Sequence, residues 1–126
     1  MEKVLLVAAG GALGSVLRFL SVSLLGRLTG DAATGTLVVN VAGSFLMGCL
    51  FVLLIEHSDG VLSRLMPFLS VGLLGSFTTF SAFSLDALRL FESGKPWVAG
   101  FYVLGSVSLS IVAVIVGVAV MRAQSA

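Results

Sequence analysis

With 126 residues, 58% of them hydrophobic and 10% charged, the chain has too few charged side chains to cover a soluble surface of its size. A chain this short leaves roughly a third of its extended surface exposed after folding, so lipid must cover the apolar excess that a mean hydropathy of +1.17 reports. Seven Lys and Arg against six Asp and Glu argue against a nucleic-acid surface or a polybasic tail. The single cysteine, Cys49, excludes an intrachain disulfide and reads as a small buried hydrophobe.

The first apolar run, 4–25, follows Glu2 and Lys3 and has the roughly 20 residues a helix needs to cross hydrocarbon. Its length, the acidic Glu2 and the spans that follow favour a retained helix over a signal peptide. Gly10, Gly11 and Gly14 do not make a dinucleotide loop, because that motif needs a preceding strand and a soluble unit around it. Gly10 and Gly14 instead permit close helix approach. Arg18, the only charge in the run, is costly within a span. It either snorkels to a headgroup or enters an aqueous vestibule, where it would concentrate anions.

The second run, 34–55, is uncharged. Asn40 lies about seven residues into it, with Gly43 and Met47 on roughly the same helix face. Its amide can donate to a partly dehydrated anion or hold a neighbouring helix, and the sequence leaves both roles open. Gly43, Ser44 and Gly48 read as packing positions.

The third run, 65–85, is uncharged but contains Pro67, Gly72 and the segment 75–84, Gly-Ser-Phe-Thr-Thr-Phe-Ser-Ala-Phe-Ser. Glycine, small hydroxyls and aromatics near the midplane predict an interrupted helix whose loosened backbone faces protein, ions or water. Phe80 and Phe83, three apart, share a face: an aromatic packing surface, or ring edges presented to an anion. Asp86 stands close to Arg89 and the interface, where a solvated or paired carboxylate is expected rather than a proton carrier.

A fourth run, 96–121, ends before Arg122 and carries Ser106 and Ser110 at helical spacing. The expected architecture is therefore an all-α integral membrane protein, one four-helix transmembrane domain over 1–126, with both termini on one side. The connections 27–33, 56–64 and 89–95 leave no room for a soluble catalytic domain, so the chain reads as a non-enzyme whose function lies in or between its helices. Lys3, Arg64 and Arg122 on one side nearly balance Arg27, Lys95 and Arg89 on the other. That balance permits insertion in both orientations, with two copies pairing antiparallel about an axis in the membrane plane.

The sequence resembles the Fluc/CrcB family of fluoride channels. The resemblance rests on 35–40, Gly-Thr-Leu-Val-Val-Asn, on 75–84 and on the first-span arginine, and it runs through all four spans. It implies an antiparallel dual-topology homodimer in the inner or plasma membrane, a broken third helix, and two fluoride pathways along the interface whose passive efflux protects the cell. It further implies that Asn40 lines the pathway, that Phe80 and Phe83 form an aromatic box, and that Arg18 sits in the vestibule. By the same resemblance Gly75 and Thr78 offer backbone carbonyls to a structural sodium ion, Thr79 and Ser84 belong to the polar segment, and Tyr102 and Ser110 face the pore. Three positions depart from the family pattern: Ala82 replaces a hydroxyl residue, Asp86 a glutamate and Val114 a polar side chain. The competing functions are a small dual-topology proton-coupled multidrug exporter, which would need a deep carboxylate, and a membrane assembly subunit that transports nothing.

Dual insertion has a direct test in the accessibility of tagged termini. Labelling of each terminus from both membrane faces is expected, and labelling from one face alone would contradict it.

Overall fold

The computed structural model describes residues 1–56 and 60–126. The chain folds as α1 (Glu2–Thr29), α2 (Ala32–Glu56), α3 (Val61–Met66), a π-helical stretch (Pro67–Leu74), α4 (Gly75–Phe77), α5 (Phe80–Glu92) and α6 (Pro96–Ser125). Four spans result, the third running Val61–Glu92 with an interruption between α4 and α5.

The helices outrun the apolar stretches that predict them. α1 continues to Thr29, α5 to Glu92 and α6 to Ser125, because polar residues extend a helix beyond hydrocarbon as readily as apolar ones. The first and third connections shrink to tight turns. Gly30 ends α1 in the left-handed region at φ 76°, its N–H donating to Gly26 O at 2.9 Å. Asp31 Oδ1 then accepts the Ala33 N–H at 3.0 Å at the start of α2, and Pro96 opens α6 where a missing N–H costs nothing. Asp86 consequently sits well inside α5 and Arg89 in its last turn. Part of the expected second connection, 57–59, lies outside the described residues.

Pro67 sits where the third span changes character. It has no N–H to give, and its ring crowds the carbonyl four residues back, so a wider π turn over Pro67–Leu74 relieves both demands. Ser70 Oγ donates to the Met66 carbonyl at 2.8 Å within this stretch.

Close backbone approach, rather than a large apolar core, joins the helices. α1 meets the π stretch at Gly10, Gly14 and Gly72: a Cβ on Gly10 would overlap Phe68 O, and one on Gly14 would overlap Leu73 O. α2 and α6 interlock in the same manner, Gly48 against Val114 O and Gly117 against Phe45 O. Cys49 joins that seam, its Sγ 3.6 Å from Gly117 O. The buried apolar cluster is small, centred on Leu50, Met66 and Leu74, whereas Phe19, Trp97 and Phe101 point outward at 70–81% exposure. In lipid the hydrophobic effect does not drive helices together, so dispersion at glycine contacts carries the association.

Gly117→Val therefore forces side-chain atoms into the Phe45 carbonyl and is expected to destabilise the protein by about 1–3 kcal/mol, read as a lower thermal midpoint in detergent. Gly100→Ala, at a helical glycine with nothing within 4 Å of its would-be Cβ, should not lower the midpoint, alanine being the better helix former.

Candidate functional site

At the interruption, Thr78 (φ −84°, ψ 159°) and Thr79 (φ −153°, ψ 121°) are extended in a span that is otherwise helical. Extended backbone within a membrane needs partners for its polar groups, and α2 supplies them. Asn40 Oδ1 accepts the Thr79 N–H at 2.7 Å, while Asn40 Nδ2 donates to Thr79 O at 2.9 Å. Thr79 in turn caps α5, its Oγ1 accepting the Ala82 N–H at 3.2 Å. On the other side, Thr78 N and Oγ1 both donate to Leu74 O at 3.1 Å.

These bonds redirect two donors. In an unbroken helix the Thr79 N–H would serve Gly75 O and the Ala82 N–H would serve Thr78 O. Given instead to Asn40 and to Thr79 Oγ1, they leave the Gly75 and Thr78 carbonyls without their helical donors. Such oxygens suit a hard monovalent cation. Among the described residues no three His, Cys, Asp or Glu side chains cluster as metal ligands, so a cation at the break would be held by neutral oxygens, the freed carbonyls among them.

Beside the break an open groove of about 360 Å³ runs between α2, α5 and α6. It brings together Asn40, Thr78, Thr79, Phe80, Phe83 and Ser110 from the sequence-derived candidates. Phe80 is 78% exposed and Phe83 buried, their ring centroids 5.4 Å apart and tilted by 51°. Tyr102 lies behind Phe83 at 5.5 Å and does not line the groove. Arg18 is half-buried on α1 outside it, and Gly75 belongs to the break but not to the groove wall. Ser84 is also off the wall, exposed and donating to Phe80 O at 2.9 Å within its own helix. Ser106, which its spacing from Ser110 suggested only as a packing position, also lines the wall: it is buried, and among the described residues its Oγ has no hydrogen-bond partner. Its place midway between Tyr102 and Ser110, four residues from each, was the available signal.

Residues 5–118 match the family described as CrcB-like protein, Camphor Resistance (CrcB). The chain belongs to the CrcB family. It is 50% identical over 125 residues to a protein of Rhizobium meliloti (strain 1021) named fluoride-specific ion channel FluC, covering 98% of this chain and 99% of that one. Proteins of the same name from Paracoccus denitrificans (strain Pd 1222) and Cereibacter sphaeroides (strain ATCC 17029 / ATH 2.4.9) are 53% and 48% identical over 116 and 123 residues. These alignments cover 92% and 97% of this chain and 91% and 96% of the relatives. As its four apolar spans require, this CrcB-family chain is a multi-pass membrane protein.

The CrcB-family chain also holds a carboxylate inside its bundle. The position of Asp86 near the end of an apolar run suggested a solvated or paired anion; it is paired and, at 7% exposure, not solvated. Thr36 Oγ1 donates to Asp86 Oδ2 at 2.6 Å from a residue fifty positions earlier. Arg89 approaches Oδ1 at 3.9 Å but is 67% exposed, so this ion pair contributes little. The Thr36 hydroxyl is the stronger support. Thr36→Val keeps the side-chain shape and removes the donor, leaving the buried carboxylate underserved. A loss of about 1–3 kcal/mol is expected, with Thr36→Ser close to wild type in the same thermal melt.

Proposed function

We propose that the chain is one half of an antiparallel, dual-topology homodimer that conducts fluoride passively and selectively out of the cell and so protects against fluoride toxicity. The observation that carries this proposal is the groove, where an amide, buried and half-buried hydroxyls and two phenylalanines meet beside freed backbone carbonyls. The name borne by the relatives supplies the ion.

Arg18 would raise the anion concentration at the mouth. One N–H of Asn40 is spent on Thr79 O, which leaves the second for a passing ion. Ser106 and Ser110 offer hydroxyl donors in place of lost water, and the rims of Phe80 and Phe83 offer weakly electropositive edges. Each contact is modest, which suits a channel, because an ion must leave as readily as it enters. Larger halides, although more weakly hydrated, would be rejected by fit, since they could not make these close contacts and their dehydration would go uncompensated.

The second copy follows from the same chemistry. Freed carbonyls and unpaired hydroxyls such as Ser106 Oγ would each cost free energy against hydrocarbon in a lone protomer, and a facing copy would cover them. Gly75 and Thr78 carbonyls from both breaks would hold a structural sodium, whose charge would offset unpaired oxygen in the dry interior. A proton-coupled multidrug exporter fits less well: α1 carries no acidic residue beyond Glu2, and Asp86 is engaged by Thr36.

Purified protein in fluoride-loaded liposomes tests the function. Fluoride efflux is expected to continue with the proton gradient collapsed, with chloride retained in the matched control. Phe80→Ile, Phe83→Ile and Asn40→Ala should each slow efflux by about tenfold or more. Efflux that vanished with the proton gradient, or stayed at full rate in all three variants, would contradict the proposal.

A further inference from the structure

We infer that Gly43 is the positioning residue of the break, setting its geometry by giving the Thr78 methyl group a seat. Gly43 also lines the groove, but in this role it acts through Thr78, and its effect on flux rests on the fluoride-channel reading above.

Gly43 is buried on α2, three residues beyond the Asn40 clamp. A Cβ there would overlap Thr78 Cγ2 and come within 3.3 Å of Phe77 Cδ1. The ring edge can yield by a few tenths of an ångström, but the methyl cannot. Thr78 Oγ1 is committed to Leu74 O at 3.1 Å, which selects the side-chain rotamer that points Cγ2 at Gly43.

The handedness of threonine closes the escape. Its three Cβ substituents keep a fixed cyclic order. Turning the hydrogen toward Gly43 therefore carries the methyl to the place now held by Oγ1, against the Leu74 carbonyl, and breaks that hydrogen bond. The remaining rotamer sets Oγ1 itself against Gly43 and leaves Leu74 O with only the main-chain donor. If the side chain holds, the backbone of 78–79 must move, and the Asn40 bonds at 2.7 and 2.9 Å stretch with it. Every route disturbs the segment that presents the Thr78 carbonyl and caps α5. Serine at position 78 would have no such conflict, since it keeps the hydroxyl and lacks the methyl.

A double-mutant cycle in the full-length protein tests the seat: wild type, Gly43→Ala, Thr78→Ser and the double variant, each measured for thermal midpoint in detergent and fluoride efflux from liposomes. Gly43→Ala alone is expected to lower the midpoint and slow efflux by about tenfold or more. In the Thr78→Ser background the same change should shift efflux by no more than about twofold and leave the midpoint near that of Thr78→Ser. A wild-type midpoint and efflux rate in Gly43→Ala, or an equal loss on both backgrounds, would overturn the inference. A wild-type protein that passed no fluoride would refute the channel reading instead, and the thermal cycle would still decide the seat.

Discussion

Hydrocarbon offers no water to an unpaired peptide group, and the two extended residues at Thr78 and Thr79 are the point where this chain meets that constraint. The main solution is a side-chain amide from another helix: Asn40 presents an acceptor and a donor to one residue, as a neighbouring strand would. Thr79 passes the repair along by capping α5 with its own hydroxyl. The carbonyls of Gly75, Ser76, Phe77 and Thr78 remain without helical donors, and the groove opens beside them. The break is thus a reassignment of hydrogen bonds, with its leftover acceptors placed where an ion could use them.

A reassignment of this kind holds only if α2 is accurately placed, and α2 is placed by glycine. It locks to α6 through Gly48 and Gly117 and meets α1 at Gly35, while Gly43 faces the break. α1 in turn grips the π-helical stretch through Gly10, Gly14 and Gly72. Apart from Gly43, which meets side chains, these contacts put backbone against backbone, where a shift of an ångström is resisted by overlap rather than by the softer packing of long side chains. With so small a buried apolar cluster, that rigidity is what supports the amide clamp.

The four spans are legible in the sequence because apolar runs of bilayer length admit few other readings, yet their ends are not. Charge marks where hydrocarbon stops, whereas the turn chemistry of Gly30, Asp31 and Pro96 marks where helices stop. The interruption at 75–84 was visible in composition; the π turn was not, although Pro67 stood at its start. Asn40 had two open roles, and the geometry fills one of them while leaving a donor for the other. Ser106 was hidden because a serine at helical spacing has the same pattern whether it packs or faces a groove. The burial of Asp86 was hidden because its partner, Thr36, lies in another span. The roles given to Phe80 and Phe83 came from family resemblance; periodicity alone gave only a shared face.

Whether α2 holds the break through Asn40 is measured most directly by amide hydrogen exchange at Thr79 in lipid bilayers. Strong protection of the Thr79 N–H is expected in the wild-type protein and its loss in Asn40→Ala, while amides in the middle of α6 stay protected in both. Fast exchange at Thr79 in the wild type, or unchanged protection after the substitution, would contradict it.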